Sequence, residues 1–226
     1  MAQILKEVGF VHLHVHSSYS LLEGALTIAA LGKLALADQM PAIALTDTNN
    51  LFGALEFSEK ISGMGIQPIA GVQLMVDFGD RPAARTRPGG LSESRGALVL
   101  LAATEEGYEN LLFLSSHAFL DTPTSDHVHL PVERMEGRTA GVIALTGGPG
   151  GPLDRAIGAA QIDIARERLG RLAALFPQRL YVELQRHGAP EEKRTEPHLV
   201  DLADEAGLPL VATAEPFFAK PDDYEA

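Results

Sequence analysis

Phe10-Val11-His12-Leu13-His14-Val15-His16-Ser17-Ser18-Tyr19-Ser20-Leu21-Leu22-Glu23-Gly24 decides how the rest of the chain is read. Its three histidines occupy alternate positions of an apolar run, so on a strand from about Val11 to Val15 all three point to one side. Strands of parallel α/β proteins are ordinarily apolar on both faces, and imidazoles on one face mark a polar interior, an active-site mouth or a metal. Glu23, in the loop that follows, offers a carboxylate to the same place.

Six further strands are expected after that one: Ala42 to Leu45, Ile66 to Val76, Ala97 to Ala102, Gly141 to Thr146, Leu180 to Leu184 and Leu208 to Ala212. Helices fall between most of them. Thr27 caps the first, which turns Ile28, Leu31, Leu34 and Ala35 inward and ends at Met40-Pro41. A second follows the turn residues Thr46 to Asn50 and reaches about Ile61. Glu105 to Phe119 has the acidic first turn that a helix dipole prefers. Gln161 to Leu175 is amphipathic, with Ile164, Leu169, Leu172 and Leu175 inside and Arg166, Arg168 and Arg171 as a solvated face. Glu192 to Ala206 is closed by Gly207. Seven strands alternating with helices, and polar motifs gathered just after strand ends, argue for an α/β barrel with its site at the carboxyl-terminal mouth. A length of 226 residues suits a single domain over 1–226.

Composition narrows the chemistry. A formal net charge of -12 argues against a broad electrostatic grip on nucleic acid, which needs clustered Lys and Arg. The only local basic cluster, Arg81, Arg85 and Arg87, lies in a polar surface excursion from Phe78 to Arg95 and reads as solvated. Zero cysteine excludes disulfides, thiolate ligands and thiol nucleophiles. No apolar run approaches the ~18 residues of a membrane span, so a cytoplasmic protein with no membrane partner is expected. His127 and His129 sit in a polar stretch between Pro123 and Pro131 and read as loop. Gly147 to Gly151 lacks the spacing and the lysine of a phosphate-binding loop and reads as a flexible connection.

The run His12 to Gly24, with Ala44-Leu45-Thr46-Asp47, Gly71-Val72-Gln73 and Val211-Ala212-Thr213, resembles the N-terminal polymerase-and-histidinol-phosphatase (PHP) domain of bacterial replicative DNA polymerase III α subunits, across essentially the whole chain. The resemblance implies a distorted (β/α)7 barrel of the PHP type, cut from a much longer polymerase. In active members a trinuclear zinc- or manganese-type centre hydrolyses phosphoesters. Carried across position by position, His14, His16 and Glu23 match the first motif's ligands, and Glu215 keeps the acid of the last. Thr48 stands where the family has His, Gln73 where it has Glu, Ala97 where it has His, Gly148 where it has Cys and Phe217 where it has the final His.

Zinc takes about four N, O or S ligands, so two histidines and two carboxylates do not sustain a trinuclear cluster. The expectation is therefore a remnant site that needs no cofactor and holds at most one weakly bound Zn, Mn or Mg ion. The domain is then a scaffold joined to the remainder of the polymerase chain and to a proofreading exonuclease subunit, reaching DNA only through the full polymerase, and inactive as a polymerase by itself. The competing expectation is an active metal-dependent phosphoesterase, either a 3′–5′ exonuclease or a histidinol-phosphatase-like enzyme.

Overall fold

The computed structural model describes residues 9–80 and 94–219. Its elements are α1 (Ile28–Ala37), β1 (Ala42–Leu45), α2 (Ala54–Gly63), β2 (Gln67–Asp77), β3 (Arg95–Ala102), α3 (Glu105–Leu120), β4 (Leu130–Pro131), β5 (Val142–Leu145), α4 (Pro152–Gly158), α5 (Ile162–Leu175), β6 (Leu180–Gln185), α6 (Pro190–Ala206) and β7 (Leu210–Thr213). One curled sheet runs in the order β1-β2-β3-β5-β6-β7, with the short β4 added beside the end of β2. The sheet curls into a distorted barrel.

All neighbouring pairs in that order are parallel except those of β3, which is antiparallel to both β2 and β5. The chain therefore reverses direction between β2 and β3, and again between β3 and β5. The basic cluster Arg81, Arg85 and Arg87 lies outside the described residues.

Each strand's two faces serve different cores. Val72, Leu74, Val76, Leu98 and Leu100 face outward into the large apolar layer under α3, α4, α5 and α6. A second outer layer joins Val15, Ile43 and Leu45 to Ile28, Leu31 and Ala35 of α1 and to Phe57 and Ile61 of α2. Leu34, expected inside, is 42% exposed because it lies at the edge of the stripe set by 28, 31 and 35. Between the strands lies a small apolar floor of Ala44, Val99, Leu101 and Leu145, with Leu13, Ile69, Tyr181 and Val211 packed on it. Full burial of one such aliphatic side chain contributes about 1.5–3 kcal/mol. Further along these inward faces the side chains turn polar, at Glu183 and Thr213 two residues past Tyr181 and Val211, and at Gln73 four residues past Ile69.

Three expectations change here. The first strand is absent as a strand: Val11 to Val15 is extended beside β1, but regular pairing fails (below). The glycine run is no loose connection, since Gly148–Gly150 forms a 3-10 turn that feeds α4, a helix the sequence reading passed over. Arg168 is not on a solvated face but is 1% exposed, its guanidinium gripping Asp80 at 2.7 and 2.8 Å and the Pro152 carbonyl at 2.9 Å. Neighbouring Arg171 donates to the Phe78 carbonyl at 2.7 Å, and both guanidiniums lie over the Phe78 ring. The two arginines thereby hold the end of the β2 segment where the polar excursion departs.

Candidate functional site

The site begins with residues 12–16. The Ala44 amide donates to the His12 carbonyl at 2.8 Å and the Thr46 amide to that of Val15 at 2.9 Å. Between these bonds the Thr46 hydroxyl intervenes, accepting from the Val15 amide at 2.8 Å and donating to its carbonyl at 3.0 Å. A side chain thus does part of a ladder's work, and the segment bends at His14. The period-2 alternation breaks at that bend. His12 leaves the other histidines and lies edge-on to Phe10 in an apolar pocket under α1, where burial lowers its pKa against the pull of Asp38. His14 and His16 remain together, fully buried, with ring centroids 5.3 Å apart.

Asp47, next to β1, organises the turn that aims His16. Its carboxylate accepts from the Ser17 amide at 2.7 Å, the Ser17 hydroxyl at 2.8 Å and the Ser20 hydroxyl at 2.7 Å. With its single proton given to Asp47, the Ser20 oxygen is left to accept from His16 Nδ1 at 3.0 Å. That directs His16 Nε2 toward Glu215 Oε1, 3.2 Å away.

His14 is held on both sides. Nδ1 lies 2.7 Å from Glu183 Oε1, while Nε2 lies 2.6 Å from Gln73 Oε1 and 3.3 Å from Glu215 Oε1. Acceptors at both nitrogens require both to donate, which is the imidazolium form. Burial alone would depress the His14 pKa, but the Glu183 carboxylate, backed by Glu215, outweighs it and lifts the value to about 10. Burial pushes the two carboxylates upward as well, and there the imidazoles win: Glu183 is lowered by His14, and Glu215 falls well below the usual carboxylate range through His14 and His16. Glu183 also accepts from the Thr213 hydroxyl, from Gln185 Nε2 at 3.1 Å and, at its other oxygen, from the Gly147 amide at 2.9 Å.

Of the expected ligands, the structure brings His14, His16 and Glu215 together, with one potential ligand atom from each within 4.8 Å of the others. Glu23 stands apart, exposed, and reaches His16 only through Thr48, whose hydroxyl donates to it at 2.5 Å and lies 3.4 Å from His16 Nδ1. Gln73 is the amide on His14. Ala97, early in β3, pairs with Met75 and brings no donor. A side chain at Gly148 would collide with the Gln185 amide, which fills that space. Phe217 stacks on His16 with centroids 4.5 Å apart and planes 7° from parallel. His127 and His129 stay outside the group; His129 Nδ1 donates to the His127 carbonyl, and its other nitrogen faces Arg95.

Among the described residues this donor set does not fit a trinuclear cluster. It fits one cation with three protein ligands, an arrangement that leaves a position open. Glu183, Gln185 and Asp47 are site residues that the sequence reading missed. The signal for the first two was present: a Glu and a Gln at alternate positions of Leu180-Tyr181-Val182-Glu183-Leu184-Gln185, the same pattern that drew attention to the histidines.

A polar cluster walled by carboxyl-terminal strand ends, on a curled and mostly parallel sheet, defines a PHP-type barrel. Residues 12–187 match the family model described as the PHP domain, and the chain belongs to that family. It is 43% identical over 219 residues to the DNA polymerase III subunit alpha of Caulobacter vibrioides, covering 96% of this chain and 19% of that one. Its identity to the Thermus aquaticus subunit is 36%, over 96% of this chain and 18% of the relative. The chain therefore spans about a fifth of the length of these relatives.

Solved structures with the same fold include a Bifidobacterium adolescentis protein provisionally assigned as a metal-dependent phosphoesterase, with TM-score 0.55, 13% identity and coverage of 93% and 89%. Another is an amidohydrolase from Chromobacterium violaceum, with TM-score 0.56, 17% identity and coverage of 95% and 89%. Among the described residues no helix is long and apolar enough to cross a membrane.

Proposed function

We propose that this chain is the N-terminal PHP module of a replicative DNA polymerase α subunit and that it serves there as a scaffold rather than as a hydrolase. The observation that carries this reading is the thinned donor set: Gln73 meets His14 with a neutral amide, and Phe217 lies flat on His16 where the family places another ligand. On this reading the pocket needs no cofactor. One Zn, Mn or Mg ion enters only by displacing the His14 proton, so occupancy is low.

The remaining roles follow from the resemblance: the rest of the polymerase chain as covalent neighbour, the proofreading exonuclease as docked partner, DNA contact only through the complete polymerase, and a cytoplasmic location. A domain without its own hydrolytic site depends on an exonuclease in trans.

The test is elemental analysis of protein purified without chelator, together with phosphoesterase assays in Mn²⁺ or Zn²⁺. Metal well below one equivalent and no hydrolysis are expected. Near-stoichiometric multinuclear metal with activity that disappears in His14→Ala would defeat the scaffold reading and support the metal-dependent phosphoesterase.

A further inference from the structure

In the outer layer, beneath α1, lies a cavity of about 190 Å³. Val15, Leu31, Ala35 and Ile43 are its buried walls, Pro216 and Phe218 close one side, and exposed Asp38 and Ala219 stand at its opening. None of its lining residues belongs to the group formed by His14, His16 and Glu215. Alternation along the two neighbouring segments separates the sites: His14, His16, Glu215 and Phe217 turn to the barrel mouth, while Val15, Pro216 and Phe218 turn to the cavity. His12, left out of the histidine cluster, is the cavity's imidazole.

His12 Nδ1 is buried with no hydrogen-bond partner among the described residues. The ring as a whole is half-buried, so its reachable nitrogen is Nε2. A neutral imidazole has one N–H and one lone pair, and a buried N–H without a partner is rarer than an acceptor left idle. The proton therefore sits on Nε2, where a partner can reach it. The opening then presents one donor, His12 Nε2–H, and one acceptor, the Asp38 carboxylate.

We propose that this cavity is a binding site for a small aromatic alcohol, with its ring among the apolar walls and its hydroxyl accepting from His12 Nε2–H while donating to the Asp38 carboxylate. A closed apolar cavity of about 150 Å³ takes benzene, so a single ring fits this one. Apolar walls with a few convergent polar groups are the usual build of a small-molecule site. A hydroxyl serves a donor and an acceptor at once. A methyl group serves neither, and a carboxylate would meet Asp38 with like charge.

Phenol is the probe, with toluene as the isostere that lacks the hydroxyl and benzoate as the anion. Binding to the chain is followed through the methyl NMR signals of Leu31 and Ile43 at neutral pH, where phenol, like a tyrosine side chain, is uncharged. Saturable shifts with phenol and none with benzoate are expected. Toluene is the more apolar ligand, so the quantity to compare between variants is the ratio of phenol to toluene affinity. One hydrogen bond corresponds to about fivefold in affinity, and His12→Phe and Asp38→Ala should each lower that ratio by about this factor. Asp38→Ala changes an exposed side chain and keeps the test open if His12→Phe does not fold. Ala35→Leu, which fills the cavity, should abolish binding of both ligands. No saturable shift with phenol, benzoate shifts equal to those of phenol, or a ratio unchanged in Asp38→Ala overturns the proposal.

Discussion

Replacing Glu183 by glutamine tests the physical core of the site, because the change keeps volume and removes one charge. Donors converge on this carboxylate from His14, Thr213, Gln185 and Gly147. An amide can keep an oxygen toward His14 or toward the Gly147 N–H, and in either case its NH2 then meets a donor. Removing one partner of a buried ion pair costs about 3–5 kcal/mol. Linkage gives a second route to the magnitude. His14 moves from 6.5 to about 10 on folding, which is at most about 5 kcal/mol. Both routes give a large fraction of the roughly 5–15 kcal/mol that holds a domain together.

The sign follows from the raised pKa: the stabilisation is complete below pH 6.5 and is lost as pH rises through about 10. The assay is urea unfolding followed by far-UV circular dichroism, since the chain has no tryptophan. It is run from neutral pH to about 10 on both proteins. The parent should lose stability across that window, and Glu183→Gln should start lower and run flat. A variant within about 1 kcal/mol of the parent at neutral pH, with the same alkaline slope, would refute the reasoning.

Other substitutions probe the surroundings. Gly147 has φ +82°, and a methyl there would overlap the Ala97 carbonyl, so Gly147→Ala should destabilise by at least about 2 kcal/mol in the same unfolding assay. Arg168→Met strands Asp80 without its cation and should cost about 3–5 kcal/mol, with Asp80→Leu in the same chain recovering part of the loss in a double-mutant cycle. Thr48→His combined with Phe217→His returns two imidazoles beside His16. It should tighten zinc by at least tenfold, about 1.4 kcal/mol, in competition with a chromogenic chelator.

Periodicity made much of the architecture legible. Apolar runs placed strands at Ala42 to Leu45, Ala97 to Ala102 and Leu180 to Leu184, where β1, β3 and β6 lie, and alternate histidines pointed to a polar cluster. What stayed hidden depends on partners far away in sequence. Arg168 looks like any helix-surface arginine until Asp80 and the Pro152 carbonyl surround it. Glu183 gains meaning from His14, 169 positions earlier. The break in the first strand comes from the Thr46 hydroxyl inserting where a backbone group would pair, and no pattern of hydrophobicity in residues 11–15 encodes it.

The seam closed by residues 12–16 bears on how the molecule is made. His16 meets Glu215 across 199 positions, so a segment made early finds this companion only after the intervening strands and helices have been made. At about 5–20 residues per second the wait is on the order of 10–40 s, during which the two imidazoles have Ser20 and Gln73 but lack the Glu215 carboxylate that joins them. Synthesis of this module therefore leaves a vulnerable interval whose length is set by where Glu215 falls in the chain, and slowing translation before that point should increase aggregation of the nascent protein.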